Sequence, residues 1–338
     1  METLKAPFPW FGGKRRVADL VWRALGGVDS YIEPFAGSMA VLLGRPSKPR
    51  TETVNDADAY LCNFWRALVA DPEAVARHCD WPVNETDLGA RHLWLVNAGR
   101  ERIEALESDP DYFDAKVAGW WVWGINSWIG SGWCVGKGPW QLIDGKLAKN
   151  ETGQGINRQL PHLGDAGQGI NRQRPHLGDA GQGINRRDSE RDIFAYFSLL
   201  SERLHKVRVC CGDWSRVVTN GAMSYGDRVG VFLDPPYLGD VRTKDLYRVE
   251  DHAISDEVRA WAIDNGEDRR LRIILCGYHE EHADKMPKSW RMHKYSASKA
   301  YGSTAAVGKK EGNDANRHNE RIWFSPHCIK PERGLLER

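Results

Sequence analysis

Asp234, Pro235, Pro236 and Tyr237 follow directly on Val231, Phe232 and Leu233. The three apolar residues have the composition of a buried strand end. Two prolines stop it, because each lacks the N–H a ladder needs and fixes φ. The residue before a proline is pushed toward extended backbone. Asp234 and Tyr237 therefore flank a stiff elbow at the carboxyl end of a strand, where open α/β sheets bind ligands. A carboxyl and a rigid carbonyl side by side can accept the two hydrogens of one amine, and a tyrosine ring can stack on a planar group. Asp234, Pro235, Pro236 and Tyr237 are accordingly the candidate catalytic residues.

An elbow of this kind needs a sheet to carry it. Residues 28–44 read as a strand, a Gly-containing turn and an apolar helix. Residues 50–56 read as a second strand ending in an acid, followed by helical spacing through Leu61, Phe64, Trp65 and Leu68. Strand, turn, helix, strand, acid is the opening of a Rossmann-like unit, in which the acid commonly meets ribose hydroxyls. The rhythm resumes late in the chain with a helix from Asp192, strands at 206–211 and 229–233, a helix near 254–265, and strands in "LRIILCGY", "WRMHKYSA" and "ERIWFSP". Between the two halves lie helical stretches near 85–107 and 110–121, then a segment holding Trp120, Trp121, Trp123, Trp128 and Trp133 among glycines. A 14-residue repeat follows, "GQGINRQLPHLGDA" then "GQGINRQRPHLGDA", with a partial third copy ending at Arg187. It is too short and too Gly-rich for a solenoid and reads as loops or short hairpins.

The chain has 338 residues, 41% hydrophobic and 28% charged, which suits an ordinary globular protein with ample core. No apolar run reaches membrane-spanning length, and the N-terminus shows no secretory signal. Seven cysteines without a CxxC pair suggest reduced thiols in a cytoplasm. His279 and His282 lack companions that would make a metal site, so no metal is expected. Net charge is only +1, but Lys285, Lys288, Arg291, Lys294, Lys299, Lys309 and Lys310 form a block with no intervening acid. A one-sign block of that length suggests a polyanionic partner.

Five motifs in order, "PFPWFGGK", "EPFAGS", "ND", "GDW" and "DPPY", resemble the Dam-type, α-group DNA N6-adenine methyltransferases, and "WVWGINSWIGSGW" is similar to phage-borne members. The resemblance implies a Rossmann-like α/β methyltransferase sheet interrupted by a mainly helical and loop recognition insertion. The expected division is 1–58 and 189–338 for the catalytic part, with 59–188 as the insertion, its repeats at 153–187. The implied activity is methyl transfer from S-adenosylmethionine to N6 of an adenine flipped out of double-stranded DNA. N4-cytosine methylation and a non-catalytic DNA-binding descendant are the alternatives; Asp rather than Ser at position 234 favours adenine. The motifs carry Trp10, Gly12, Gly13, Lys14, Glu33, Pro34, Phe35, Gly37, Ser38, Asp56, Asp213, Trp214 and Asp234 over as cofactor-binding residues. In that pattern Asp56 meets the ribose, Asp213 the adenine amine, and Phe35 and Trp214 the adenine ring. Asn126, Lys137, Arg158, Arg172, Lys294 and Lys299 are the expected DNA contacts. Two departures stand out. Met39 replaces a glycine usual in the family, and Pro9 stands where GATC-reading members often have lysine, so GATC specificity is not carried over. A bacterial cytoplasmic or nucleoid setting follows, with no membrane and no obligatory protein partner.

Overall fold

The computed structural model describes residues 4–10, 14–47, 50–109, 111–128, 133–134, 140–143, 146–149, 193–236, 254–295 and 320–330. The chain enters through α1 (Ala18–Leu25), β1 (Ser30–Glu33), α2 (Ala40–Leu43) and β2 (Thr51–Asp56). It then builds a helical layer from α3 (Ala59–Ala70), α4 (Pro72–Cys79), α5 (Glu85–Trp94), a π turn at Leu95–Gly99, α6 (Arg100–Ile103) and α7 (Ala115–Ser127). A hairpin of β3 (Trp140–Ile143) and β4 (Lys146–Lys149) follows, then α8 (Ile193–Leu204), β5 (Val207–Cys211), α9 (Asn220–Met223) and β6 (Val229–Leu233). The last described elements are α10 (Ile254–Asn265), β7 (Leu271–Tyr278), α11 (His279–His282), β8 (Arg291–Lys294) and β9 (Glu320–Phe324). The 14-residue repeats fall outside the described residues.

The main sheet has seven strands in the order β5-β2-β1-β6-β7-β9-β8. β5, β2, β1, β6 and β7 run parallel, and β9 and β8 close the edge antiparallel. This mostly parallel sheet is the α/β arrangement the motifs implied. Strand order departs in opposite directions from β1 and β6, so their carboxyl ends frame a topological switch point, the usual ligand crevice. β6 is buried along its whole length, which explains its unbroken apolar sequence.

The expected helix at 110–121 begins and ends later than its sequence suggested. Asp114 caps α7 by accepting from Val117 N, and the helix runs on through the Trp/Gly segment to Ser127. Gly124 allows that continuation to pack. A Cβ there would stand 1.7 Å from the Trp133 ring. Trp121, Trp123 and Trp133 are buried, and Trp120 and Trp128 are half-buried. Several of these rings hold cations. The Arg91 guanidinium lies 4.2 Å from the Trp123 centroid and 5.0 Å from that of Trp120, and the Lys116 ammonium lies 4.4 Å from the same Trp120 ring. α3, α4, α7 and α8 share one hydrophobic cluster with Phe232, Ile274 and Ile322 of the sheet, so the core runs unbroken from sheet to helical layer. Among the described residues no helix is long and apolar enough to cross a membrane.

One buried ionic knot returns the chain to the sheet after the repeats. Arg203 on α8 donates to both Glu52 oxygens at 2.7 and 3.1 Å and to Leu42 O at 3.1 Å. Arg45 reaches the same carboxyl at 3.1 Å. Removing one member of a buried ion cluster leaves its partners charged and desolvated. Glu52→Ala is therefore expected to lower unfolding free energy by about 3–5 kcal/mol, read from denaturant melts.

Candidate active site

Three loops meet at the carboxyl edge of the sheet. The Asn55 side chain, buried at the end of β2, donates to Pro34 O at 3.1 Å and to Gly212 O at 2.9 Å. The backbone carbonyl of Asn55 accepts from Ala36 N at 2.9 Å, and Gly212 N donates to Asp56 O at 2.9 Å. One amide thus joins the turn after β1 to the loop after β5. Sequence reasoning used Asn55 as part of a motif but did not place it in the site.

The turn after β1 is tightly determined. Gly37 has φ 46°, and a Cβ on it would meet Trp10 Nε1 at 2.4 Å, so only glycine lets the indole lie against the backbone. Trp65 Nε1 donates to Gly37 O at 3.3 Å from the other side. Met39 has φ 52° and ψ 29°, a left-handed backbone that disfavours every residue with a Cβ. That conformation accounts for the glycine usual here. The Met39 side chain is fully buried, and its packing offsets a backbone cost of roughly 1–2 kcal/mol. Pro34 and Ser38 are buried, and Phe35 is half-buried.

The acids differ in their surroundings. Asp56 Oδ2 accepts from Gly37 N and Oδ1 from Asp58 N, both at 2.9 Å. Burial raises its pKa to about 6, against the pull of those N–H groups. Asp213 is exposed and caps a 3₁₀ turn, accepting from Ser215 N at 2.9 Å. The Phe35 and Trp214 rings stack with centroids 6.1 Å apart and planes 28° apart. Glu33 is buried at the end of β1 and accepts from the Tyr31 hydroxyl at 3.0 Å. Burial raises its pKa to about 8; the Tyr31 bond opposes the rise and the charge of Asp234 adds to it.

Asp234 follows β6 across the switch point, with Pro235 buried and Pro236 half-buried. Lys14 had been placed in the cofactor motif, and the structure sets its ammonium 2.9 Å from Asp234 Oδ2. Lys14 is 6% exposed and the Asp234 side chain 19%. Burial works against the ammonium, but Asp234, with Tyr295, Glu320 and Cys276 around it, keeps the lysine pKa well above its ordinary value. Gly12, Gly13, Tyr237, Lys137, Arg158, Arg172 and Lys299 lie outside the described residues. Lys294 is exposed on the edge strand β8. Asn126 does not fit the DNA-contact expectation: it is 3% exposed, and its amide donates inward to Pro7 O at 3.1 Å and Val122 O at 2.7 Å. Within the basic block, Arg291 is spent on Cys328 O at 2.8 Å, and Lys285 faces Asp256 at 3.5 Å.

The residues present fit a nucleoside: a stacked pair of flat aromatic rings, a carboxyl at the end of β2 bonded to the turn after β1, and a closely walled glycine turn lie among the loops at the carboxyl edge of the sheet. Residues 10–108 match the D12 class N6 adenine-specific DNA methyltransferase family. The match includes Lys14, β1, the turn and β2, and ends before the helical layer is complete. No curated protein matches the chain. The family match supports N6-adenine methylation of DNA, and methyltransferases of this kind take the methyl group from S-adenosylmethionine.

The buried Glu33 predicts a pH signature. Between about 4.5 and 8 the folded chain keeps a proton on Glu33 that the unfolded chain has lost, so this group makes stability fall as pH rises across that window. Glu33→Gln keeps an acceptor for Tyr31 and removes the titration. The variant should gain stability relative to the parent steadily from about pH 5 to pH 8, measured by denaturant midpoints, with little further change above the window.

Proposed function

We propose that this chain methylates N6 of an adenine turned out of duplex DNA, with Asp234 as the group that receives the amine. The observation that carries the proposal is the Lys14–Asp234 pair, set at the switch point next to the glycine turn. Asp56 and Asp213 would hold the ribose hydroxyls and the adenine amine of the donor, and Phe35 and Trp214 its adenine ring. Trp10 and Gly37 form the wall beside them. Lys14 belongs with Asp234 in this reading.

S-adenosylmethionine supplies a methyl group already activated on a sulfonium. The residues therefore have to position and desolvate the amine, with no covalent nucleophile of their own. The exocyclic nitrogen is a poor nucleophile while its lone pair is delocalised into the ring. Asp234 accepts one hydrogen and the Pro235 carbonyl the other, which favours the pyramidal nitrogen that attacks. As the N–C bond forms, the S–C bond breaks, and the sulfur keeps the bonding pair as a neutral thioether. One proton leaves the nitrogen by way of Asp234 to solvent. Tyr237 would stack on the extruded base.

Residues 59–188 would carry sequence recognition, and 1–58 with 189–338 the catalytic sheet. Lys294 would grip phosphate together with Lys299. Arg158 and Arg172 would read base edges, and Lys137 would contact DNA as well. N6-adenine is favoured over N4-cytosine because position 234 is Asp.

Asp234→Ala is expected to abolish methyl transfer, to below about 1% of the parent rate, while donor affinity by calorimetry changes less than about tenfold. Retained turnover would remove Asp234 from the chemistry. Unchanged donor affinity in both Asp56→Ala and Asp213→Ala, where a loss of about ten- to a hundredfold is expected, would displace the donor pocket.

A further inference from the structure

The register of the sheet brings a second carboxyl to the Lys14–Asp234 pair. Leu233 pairs with Leu275, so Asp234 stands beside Cys276 one step further along. Cys276 pairs with Ile322, and Tyr278 with Glu320. Side chains alternate between the two faces of a strand. Phe232, Ile274, Cys276, Ile322 and Phe324 share one cluster, whereas Leu233, Leu275 and Trp323 belong to the other. By that alternation Asp234, Cys276 and Glu320 project from the same face, which the N-terminal segment covers through Phe8 and Trp10. Lys14 arrives from that segment.

Glu320 is 4% exposed, and the Tyr295 hydroxyl donates to its Oε2. Tyr295 stands one residue beyond the last β8–β9 pair, Lys294 with Arg321, and packs against the same cluster. Both Glu320 and Tyr295 add to the field that keeps Lys14 charged. Two carboxyl groups, one at the end of β6 and one at the start of β9, thus project from the face of the sheet on which the Lys14 ammonium meets Asp234.

This arrangement bears on a conflict within the proposed reaction. Lys14 engages Oδ2 of Asp234, and the positive charge so close weakens the whole carboxylate as an acceptor for an amine. A lysine released without another partner would be a desolvated charge, which is costly. An ammonium has three donors and can keep one partner while loosening another. We propose that Glu320, held by Tyr295, is a positioning residue for methyl transfer: it retains the Lys14 ammonium while Asp234 turns from that lysine to the adenine amine. The proposal rests on the reading of Asp234 given above.

The test uses the full chain, PCR-amplified duplex DNA and labelled S-adenosylmethionine, with turnover, DNA KM and calorimetric donor affinity measured for each variant. A parent chain that makes no N6-methyladenine would sink the functional reading itself, and is distinguishable from every result below. With an active parent, Glu320→Gln keeps an acceptor for Tyr295 but loses the charge. It should lower kcat by roughly ten- to a hundredfold, with KM and donor affinity within about threefold of the parent. Glu320→Asp should recover part of that loss. In Lys14→Met, adding Glu320→Gln should cost no further rate, because Glu320 acts through the lysine. A Glu320→Gln kcat within about threefold of the parent, a multiplicative loss in the double variant, or KM and donor affinity worsening in step with kcat would each overturn the proposal. If Glu320→Gln is recovered unfolded, as judged by circular dichroism, Tyr295→Phe decides. A kcat loss of about three- to tenfold at unchanged donor affinity supports the positioning role, and anything smaller rejects it.

Discussion

The Lys14–Asp234 pair is the constraint around which the rest of the site is arranged. A cation from the N-terminal segment and a carboxyl at the end of β6 meet at 2.9 Å with little access to solvent. Charges so placed are costly unless geometry holds them together. The structure supplies that geometry by tying the N-terminal segment down along its length. Tyr196 Oη donates to Lys5 O at 2.7 Å, Asn126 donates to Pro7 O at 3.1 Å, and the Phe8 ring packs on Phe64 and Trp121 with centroids 5.4 and 5.2 Å away. Trp10 then lies against Gly37. The helical layer, the N-terminal segment and the sheet are thereby fixed to one another at the crevice.

The same constraint explains why backbone peculiarities gather there. Gly37 and Met39 take left-handed conformations within a single turn, and Asn55 bonds loops from different strands. Strain and buried amide contacts concentrate where a scaffold has to hold a precise surface. Met39 is the informative case: burial of its side chain keeps a backbone conformation that glycine would adopt more easily.

The centre of the sheet was legible in sequence because β6 and β7 are buried almost throughout and read as apolar runs with sharp ends. The Asp-Pro-Pro elbow and the Gly turn were legible because each is a short local signal, whereas the pairing of Phe35 with Trp214 came only with the family resemblance. Long-range partners were not. Nothing in "GGK" says that Lys14 will reach Asp234, and Asn55 stands next to Asp56 with no local sign that it joins two other loops. Glu320 opens a strand and Tyr295 follows one, and both strands signal only β-propensity. The inward direction of Asn126 was not legible, because α7 carries apolar residues nearly all round and periodicity does not separate its inward face from its outward one.

Asp234 is the group on which the functional account turns, and its partner at the moment of reaction can be observed. The direct measurement is a crystal structure of the chain with duplex DNA and a non-reactive analogue of the methyl donor. The account predicts an adenine outside the helix with its exocyclic nitrogen within hydrogen-bond distance, about 3 Å, of an Asp234 oxygen, and with Lys14 shifted toward Glu320. An adenine whose amine is held elsewhere while Lys14 and Asp234 remain closed on each other would contradict it.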